Sequence, residues 1–308
     1  MAEKLKTLFL IDANSIIHRC FHAMPPLTAA DGRPIQAIYG LTNILLKIVR
    51  EENPEYAAAL FDRPEPTFRK EKYPEYKAQR PPTPDDLISQ IIEAQTLFRK
   101  FGIRVFEKPG FEADDLIATL AEKFGDEPDV AVVILTGDLD TLQMVRGKKV
   151  VVRAFRKGIS ETTIYDEHAV QERYGLQPKE MADYKALVGD ASDNIKGAPG
   201  IGPKTASELI KRFGTIENMY DNINKLPEKV REKFQKAEAE IRLSKKLVEL
   251  ETKLDVGISG IEELKRIDGK ETLKKYFREL GFETFLKRLE NGTNPKAKNQ
   301  SHQGNIFS

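Results

Sequence analysis

Residues Thr7–Asp12 read TLFLID: four large apolar side chains, then an aspartate. A short, continuously apolar run that ends on a polar residue reads as a strand buried on both faces. The form recurs. Tyr56–Phe61 (YAAALF) is followed by Asp62, and Val130–Leu135 (VAVVIL) is followed three residues later by Asp138. Ile103–Glu107 (IRVFE) is a fourth such run. Between these runs the apolar residues fall at helical spacing: Leu41, Ile44, Leu45 and Ile48; then Leu87, Ile88, Ile91, Phe98 and Phe101; then Leu116, Ile117 and Leu120. Strands alternating with helices predict an α/β fold, a parallel sheet covered on both faces. Lys149–Arg153 and Thr163–Tyr165 add edge strands.

Beyond about residue 166 the strand signals fade. Helices are expected at Glu167–Tyr174, Pro178–Val188, Pro203–Phe213, Pro227–Glu251 and Lys270–Leu289. From Asn291 the chain is polar, free of acids and without periodicity, which predicts disorder. The expected division is residues 1–172, 173–290 and a tail at 291–308. The segment 63–84 is proline-rich, basic and aromatic, matches neither period, and reads as a long functional loop or clamp. No apolar run approaches the ~20 residues that cross a bilayer. The N-terminus lacks a signal-peptide pattern, so a cytoplasmic protein is expected. One cysteine, Cys20, excludes an internal disulfide framework and a cysteine-based zinc site.

The carboxylates carry the chemistry. Asp12, Asp62 and Asp138 follow three separate strands, and open parallel sheets bind ligands at the carboxyl ends of strands. Glu112, Asp114 and Asp115 open a helix, where one acid suffices for capping and three repel one another. Asp138 and Asp140 stand at i and i+2, the spacing at which an extended segment points both the same way. Asp190 and Asp193 follow a helix C-terminus, which disfavours acids. All nine are hard oxygen donors with no associated histidine or cysteine, a set that selects Mg2+, or Mn2+ in its place, over zinc. Nine exceed the needs of one magnesium; two ions, as in two-metal displacement at phosphorus, fit better. Setting these nine aside leaves 39 of the 48 acidic residues against 49 basic ones. An acidic focus on a basic background suits metal ions and a polyanion.

LFLIDANSIIHRCFHA, AALFDRPEPTFRKEKYPEYKAQRPPTPDDL, GFEADDLIATLA, LTGDLDTLQ and ADYKALVGDASDNIKGAPGIGPKTA resemble, in order, the motifs of the 5′ nuclease family. That family includes the N-terminal domain of bacterial DNA polymerase I, phage 5′ nucleases and flap endonucleases. The resemblance covers roughly residues 7–290 and matches all nine acids. It implies a PIN- or resolvase-like core carrying a helical DNA-binding region with a helix-hairpin-helix-like element. It also implies a monomeric, nucleoid-associated 5′-3′ exonuclease and flap endonuclease, acting on branched, flapped or nicked DNA in replication, where it removes Okazaki primers, and in repair.

The segment from Arg63 to Arg80 interleaves six basic residues with aromatics, a composition suited to single strands, whose bases stack and whose phosphates pair with cations. By the resemblance it belongs to the arch or clamp. Lys77 and Arg80 then stabilise the scissile phosphate, Tyr76 stacks on a terminal base, and Arg69 and Tyr73 contact DNA. Gly197–Ala206 is a glycine-rich turn entering a helix at Pro203, and exposed amides there can hold a phosphate. The resemblance makes Gly200, Ile201, Gly202, Lys204 and Thr205 the duplex contacts, with K+ held by carbonyls. In the tail, Gln303, Ile306 and Phe307 resemble a sliding-clamp ligand. Two rivals remain: a PIN-type ribonuclease, and a non-catalytic binder of branched DNA.

Overall fold

The computed structural model describes residues 5–290. Strand β1 (Lys6–Asp12) leads into α1 (Ala13–Ala23) and α2 (Gln36–Glu51), then β2 (Tyr56–Leu60). A short helix α3 (Phe68–Lys72) and the longer α4 (Asp85–Lys100) precede β3 (Arg104–Phe106). Helix α5 (Ala113–Gly125), β4 (Val130–Thr136), β5 (Val150–Lys157) and β6 (Glu161–Tyr165) complete a sheet ordered β3-β2-β1-β4-β5-β6. Every pairing in it is parallel except β5 with β6. The expected parallel sheet is therefore present, and the strand order reverses direction between β1 and β4.

Alternation along β1 explains why its run is apolar throughout. Phe9 and Ile11 face one core with α1, α2 and α4; Leu8 and Leu10 face a second with α5. All four are fully buried or nearly so. Each such side chain contributes about 1.5–3 kcal/mol on leaving water. Helix α1 has no counterpart among the helices expected from the sequence. Only Ile16, Ile17 and Cys20 mark its apolar face, but its start is cued by Asp12, whose carboxylate accepts from Ser15 N at 3.1 Å.

The later part is helical, as α6 (Glu167–Tyr174), α7 (Met181–Val188), a two-residue hairpin of β7 (Gly189–Asp190) with β8 (Ile195–Lys196), α8 (Pro203–Phe213) and α9 (Ile216–Asp221). Pro227–Glu251, expected as one helix, is two: α10 (Glu228–Lys236) and α11 (Glu238–Val248). The break at Ala237 lets Phe234, Ala237 and Ile241 all enter a third core built on α7 to α11. Lys270–Leu289 likewise divides, at the left-handed Gly281, into α12 (Lys270–Glu279) and α13 (Glu283–Glu290). These two helices return to the first core, where Phe282 and Phe285 pack on Tyr39 of α2 with ring centroids 5.3 and 4.6 Å apart. Among the described residues no helix is long and apolar enough to cross a membrane.

Candidate metal centre and nucleic-acid interface

The reversal between β1 and β4 is the place where such sheets open a crevice at their carboxyl edge. Asp12 ends β1, Asp62 stands two residues beyond β2, and Asp138 two beyond β4. Asp12 is 4% exposed. Its Oδ2 accepts from Thr136 Oγ1 at 2.6 Å, and Thr136 Oγ1 accepts from Asp138 N at 2.9 Å. Burial, then the charges of Asp62 and Asp138, push its carboxyl up to about 7 despite these donors. Asp62 lines the open side of the crevice and accepts Ala113 N, at the start of α5, at 2.7 Å. Surrounding protein, then Glu112, raises its carboxyl above the usual range.

Asp114, in the first turn of α5, is raised well above that range by burial and by Asp12, Asp138, Asp140 and Asp62 together. Acids from four segments are thus brought to one place. The Asp138–Asp140 segment corrects the extended geometry expected: Asp140 opens a 3-10 turn, and its N–H donates to Asp138 Oδ1 at 3.1 Å. Asp140 and Asp190 are joined by Lys185 of α7, which hydrogen-bonds both, Asp190 at 2.7 Å. Burial and Asp138 still lift Asp140 to about 7. At Asp190 burial is outweighed by Lys185 and Ser192, which bring the carboxyl down to about 2.

A second group surrounds Glu112 and Asp193. Lys77 Nζ donates to Glu112 Oε1 at 2.8 Å and lies 3.8 Å from Asp193 Oδ2. Arg80 Nη2 donates to Asp193 Oδ1 at 2.6 Å. The Tyr76 hydroxyl stands 2.9 Å from both Glu112 Oε2 and Asp193 Oδ2. Burial would lower the Lys77 ammonium, but the charges of Glu112 and Asp193 raise it more.

Four sequence expectations are corrected here. Arg69 is 1% exposed and cannot reach DNA. Its guanidinium grips both oxygens of Asp115 at 2.6 and 2.7 Å and donates to the Leu247 and Glu249 carbonyls. Asp115, fully buried and also holding Glu112 N and Glu251 N, has no oxygen free for a metal. The Tyr76 ring lies in the third core at 3% exposure, so it is not placed to stack on a base. Ile201 also points into that core, leaving only its backbone at the loop surface. Tyr73 is half-buried, with its hydroxyl on Glu75.

Gly200 and Gly202 are exposed just ahead of α8, and in its first turn Lys204 is exposed and Thr205 half-buried. Gly200 has φ +65°, and its carbonyl accepts from Lys233 Nζ at 3.1 Å. Gly197 lets the loop lie on the end of α7: a Cβ there would meet the Val188 carbonyl carbon at 2.4 Å. Gln303, Ile306 and Phe307 lie outside the described residues.

The acids fit hard divalent cations. Among the described residues no lysine or arginine forms an ion pair with Asp12, Asp62, Asp114 or Asp138. Four carboxylates without a basic partner repel one another, and a cation removes that cost. Among the described residues no three acids converge on one point as they stand, so ligation involves movement of their side chains. The partners Thr136 and Lys185 were not anticipated from the sequence. Lys185, five residues before Asp190 in ADYKALVGD, is the one whose position gave a signal.

Two family models match: the 5′-3′ exonuclease N-terminal resolvase-like domain over residues 7–175, and the 5′-3′ exonuclease C-terminal SAM fold over residues 176–271. A 5′-3′ exonuclease from Aquifex aeolicus is 37% identical over 98% of this chain and all of its own length. DNA polymerase I of Caldicellulosiruptor bescii is 39% identical over 92% of this chain, which spans 33% of that relative's length. The fold is shared with the T5 D15 protein co-crystallised with metal ions, at TM-score 0.65 and 22% identity over 80% of this chain and 90% of that one. It is also shared with the catalytic core of Rad2 in complex with DNA substrate, at TM-score 0.59 and 20% identity over 91% and 88%. With both halves of the chain matched, and with a relative of equal extent, the protein belongs to the 5′-3′ exonuclease family.

Proposed function

We propose that this nuclease hydrolyses DNA phosphodiesters near the 5′ end of branched, flapped or nicked duplexes, with two Mg2+ ions held by its acidic crevice. The observation that carries the reading is the set of four unpaired carboxylates, Asp12, Asp62, Asp114 and Asp138, at the carboxyl edge of the sheet. With Asp140 and Asp190 beside them they supply oxygen donors for two ions. When bound, the ions supply Lewis acidity toward the phosphate and an activated water.

The chain's own residues do the rest. Lys77 and Arg80, now held on Glu112 and Asp193, act on the charge of Asp62 and can be handed to the scissile phosphate. Amides at Gly200 and Gly202 and the Lys204 ammonium hold the duplex backbone, which gives position and no sequence preference. Asp193 and the glycine-rich loop lie on one continuous stretch, so duplex grip and acid site are mechanically joined. A K+ bound by loop carbonyls would share the Gly200 oxygen with Lys233. Attachment to a sliding clamp through Gln303, Ile306 and Phe307 is tested by its loss in an Ile306→Ala/Phe307→Ala variant.

The deciding experiment is Mg2+-dependent cleavage of 5′-labelled flap, nicked and plain duplexes, with matched RNA flaps and mapped product lengths. Cleavage at the junction of DNA flaps is expected. Preference for RNA flaps favours the ribonuclease rival, and binding without cleavage favours a scaffold.

A further inference from the structure

Residues 73–80 form a strap that lies across the β7–β8 hairpin. Gln79 Nε2 donates to the Ala191 and Ser192 carbonyls at 2.9 and 3.1 Å, and Arg80 Nε to Ser192 O at 3.3 Å. Two residues in this contact have left-handed backbones without being glycine: Lys77 at φ +53° and Asn194 at φ +59°. They face each other. Lys77 N donates to the Asp193 carbonyl at 2.9 Å, and Asn194 Nδ2 donates to the Glu75 carbonyl at 2.8 Å.

The two cases differ physically. Asparagine visits the left-handed region readily; lysine does so only against a penalty that surrounding structure must hold in place. At Lys77 the unusual backbone sends the ammonium between Glu112 and Asp193. Strain kept at such a place points to a use for that orientation. Two hydrogen bonds fix it: that of Lys77 N to the Asp193 carbonyl, and that of Asn194 Nδ2 to the Glu75 carbonyl two residues earlier.

We propose that Asn194 is a positioning residue for the nuclease reaction, anchoring the strap through the Glu75 carbonyl so that Lys77 is held in its left-handed conformation beside the acid site. The inference rests on the proposed role of Lys77 at the scissile phosphate. It makes the hairpin before the glycine-rich loop the part that sets the strap. Gln79 assists from the other end of the same contact.

The test is a kinetic cycle on a 5′-labelled flap, with DNA affinity measured separately in Ca2+. Asn194→Asp keeps the size and the tolerance of the left-handed backbone but replaces the donor with an acceptor facing a carbonyl. Asn194→Gly keeps only the backbone freedom. The expected result is a fall in kcat of about ten-fold for Asn194→Asp and less for Asn194→Gly, with DNA affinity and melting temperature near wild type. In a Lys77→Ala background the Asn194→Asp change should have no further effect, because it acts through Lys77. An independent, multiplicative loss in that background overturns the proposal, as does an unchanged kcat in Asn194→Asp. Full activity in Lys77→Ala alone would instead refute the assignment of Lys77. If Asn194→Asp melts early, Gln79→Ala in the same cycle carries the same expectation and the same refutation.

Discussion

Replacing Arg69 separates a structural role from a DNA-binding one. The guanidinium is buried, bidentate on a fully buried carboxylate, and bonded to two main-chain carbonyls at the C-terminal end of α11. Arg69→Met keeps the stem and removes the charge. Asp115 is then a buried anion without a cation, a loss that costs about 3–5 kcal/mol in comparable pairs. The amides of Glu112 and Glu251 still donate to Asp115, which holds the cost toward the lower end, about 3 kcal/mol. For a chain of 308 residues, with about 2.1 cal/mol/K of unfolding entropy per residue, that lowers the melting temperature by about 5 °C. Denaturant unfolding with calorimetry measures it, and a fluorescence assay at fixed salt measures DNA affinity on the folded variant. The further change Asp115→Leu in the Arg69→Met background should recover much of the loss, since no charge is then left buried. Wild-type stability with weakened DNA binding in Arg69→Met would refute the reasoning and restore Arg69 as a phosphate contact.

Asp12→Ala or Asp138→Ala should abolish cleavage while flap binding stays largely intact; full activity in the double variant sinks the metal assignment. In metal-free protein, Asp12 and Asp140 have carboxyls raised from about 3.8 to about 7, so their protonated forms favour the fold. That contribution is complete below about pH 4 and is lost as pH rises through 7. Melting temperature in EDTA should therefore fall between pH 5.5 and 8, and Mg2+ should restore more at pH 8 than at pH 5.5; a flat profile in both media contradicts this. Lys185→Met leaves Asp140 and Asp190 without their shared cation. It should weaken the metal-free fold by about 1–3 kcal/mol and make Mg2+ more strongly stabilising in thermal unfolding, and equal Mg2+ shifts in both proteins would count against it.

The sheet was legible because its strands are buried on both faces: TLFLI, YAAALF and VAVVIL are uninterrupted apolar runs, and their parallel pairing places the following aspartates together. Helix α1 was not, because its four buried positions, Ala13, Ile16, Ile17 and Cys20, sit among polar ones and its cue is a single capping carboxylate. The nine acids were readable as a set but not as individuals. Asp115 and Asp114 are neighbours in sequence, yet one side chain turns into the protein onto Arg69 and the other into the crevice, a difference made by helical rotation and by a partner 46 residues away. Basic and aromatic composition likewise pointed the segment from Arg63 to Arg80 toward DNA. Composition does not record that Arg69 and Tyr76 point inward while Lys77 and Arg80 point to the acids.

The return of α12 and α13 to the first core bears on how the molecule is made. Phe9, α2 and α4 are finished within the first third of the chain, but Leu273, Phe277 and Phe285, which cover them, come near the end. At ribosomal speeds of about 5–20 residues per second, the apolar flank of α2 waits on the order of 10–40 s for its cover. Through that interval the nascent protein presents Tyr39, Leu46 and Val49 uncovered, and a chain stopped at Gly269 would present them permanently. The last two described helices therefore cover, late in synthesis, an apolar flank laid down early.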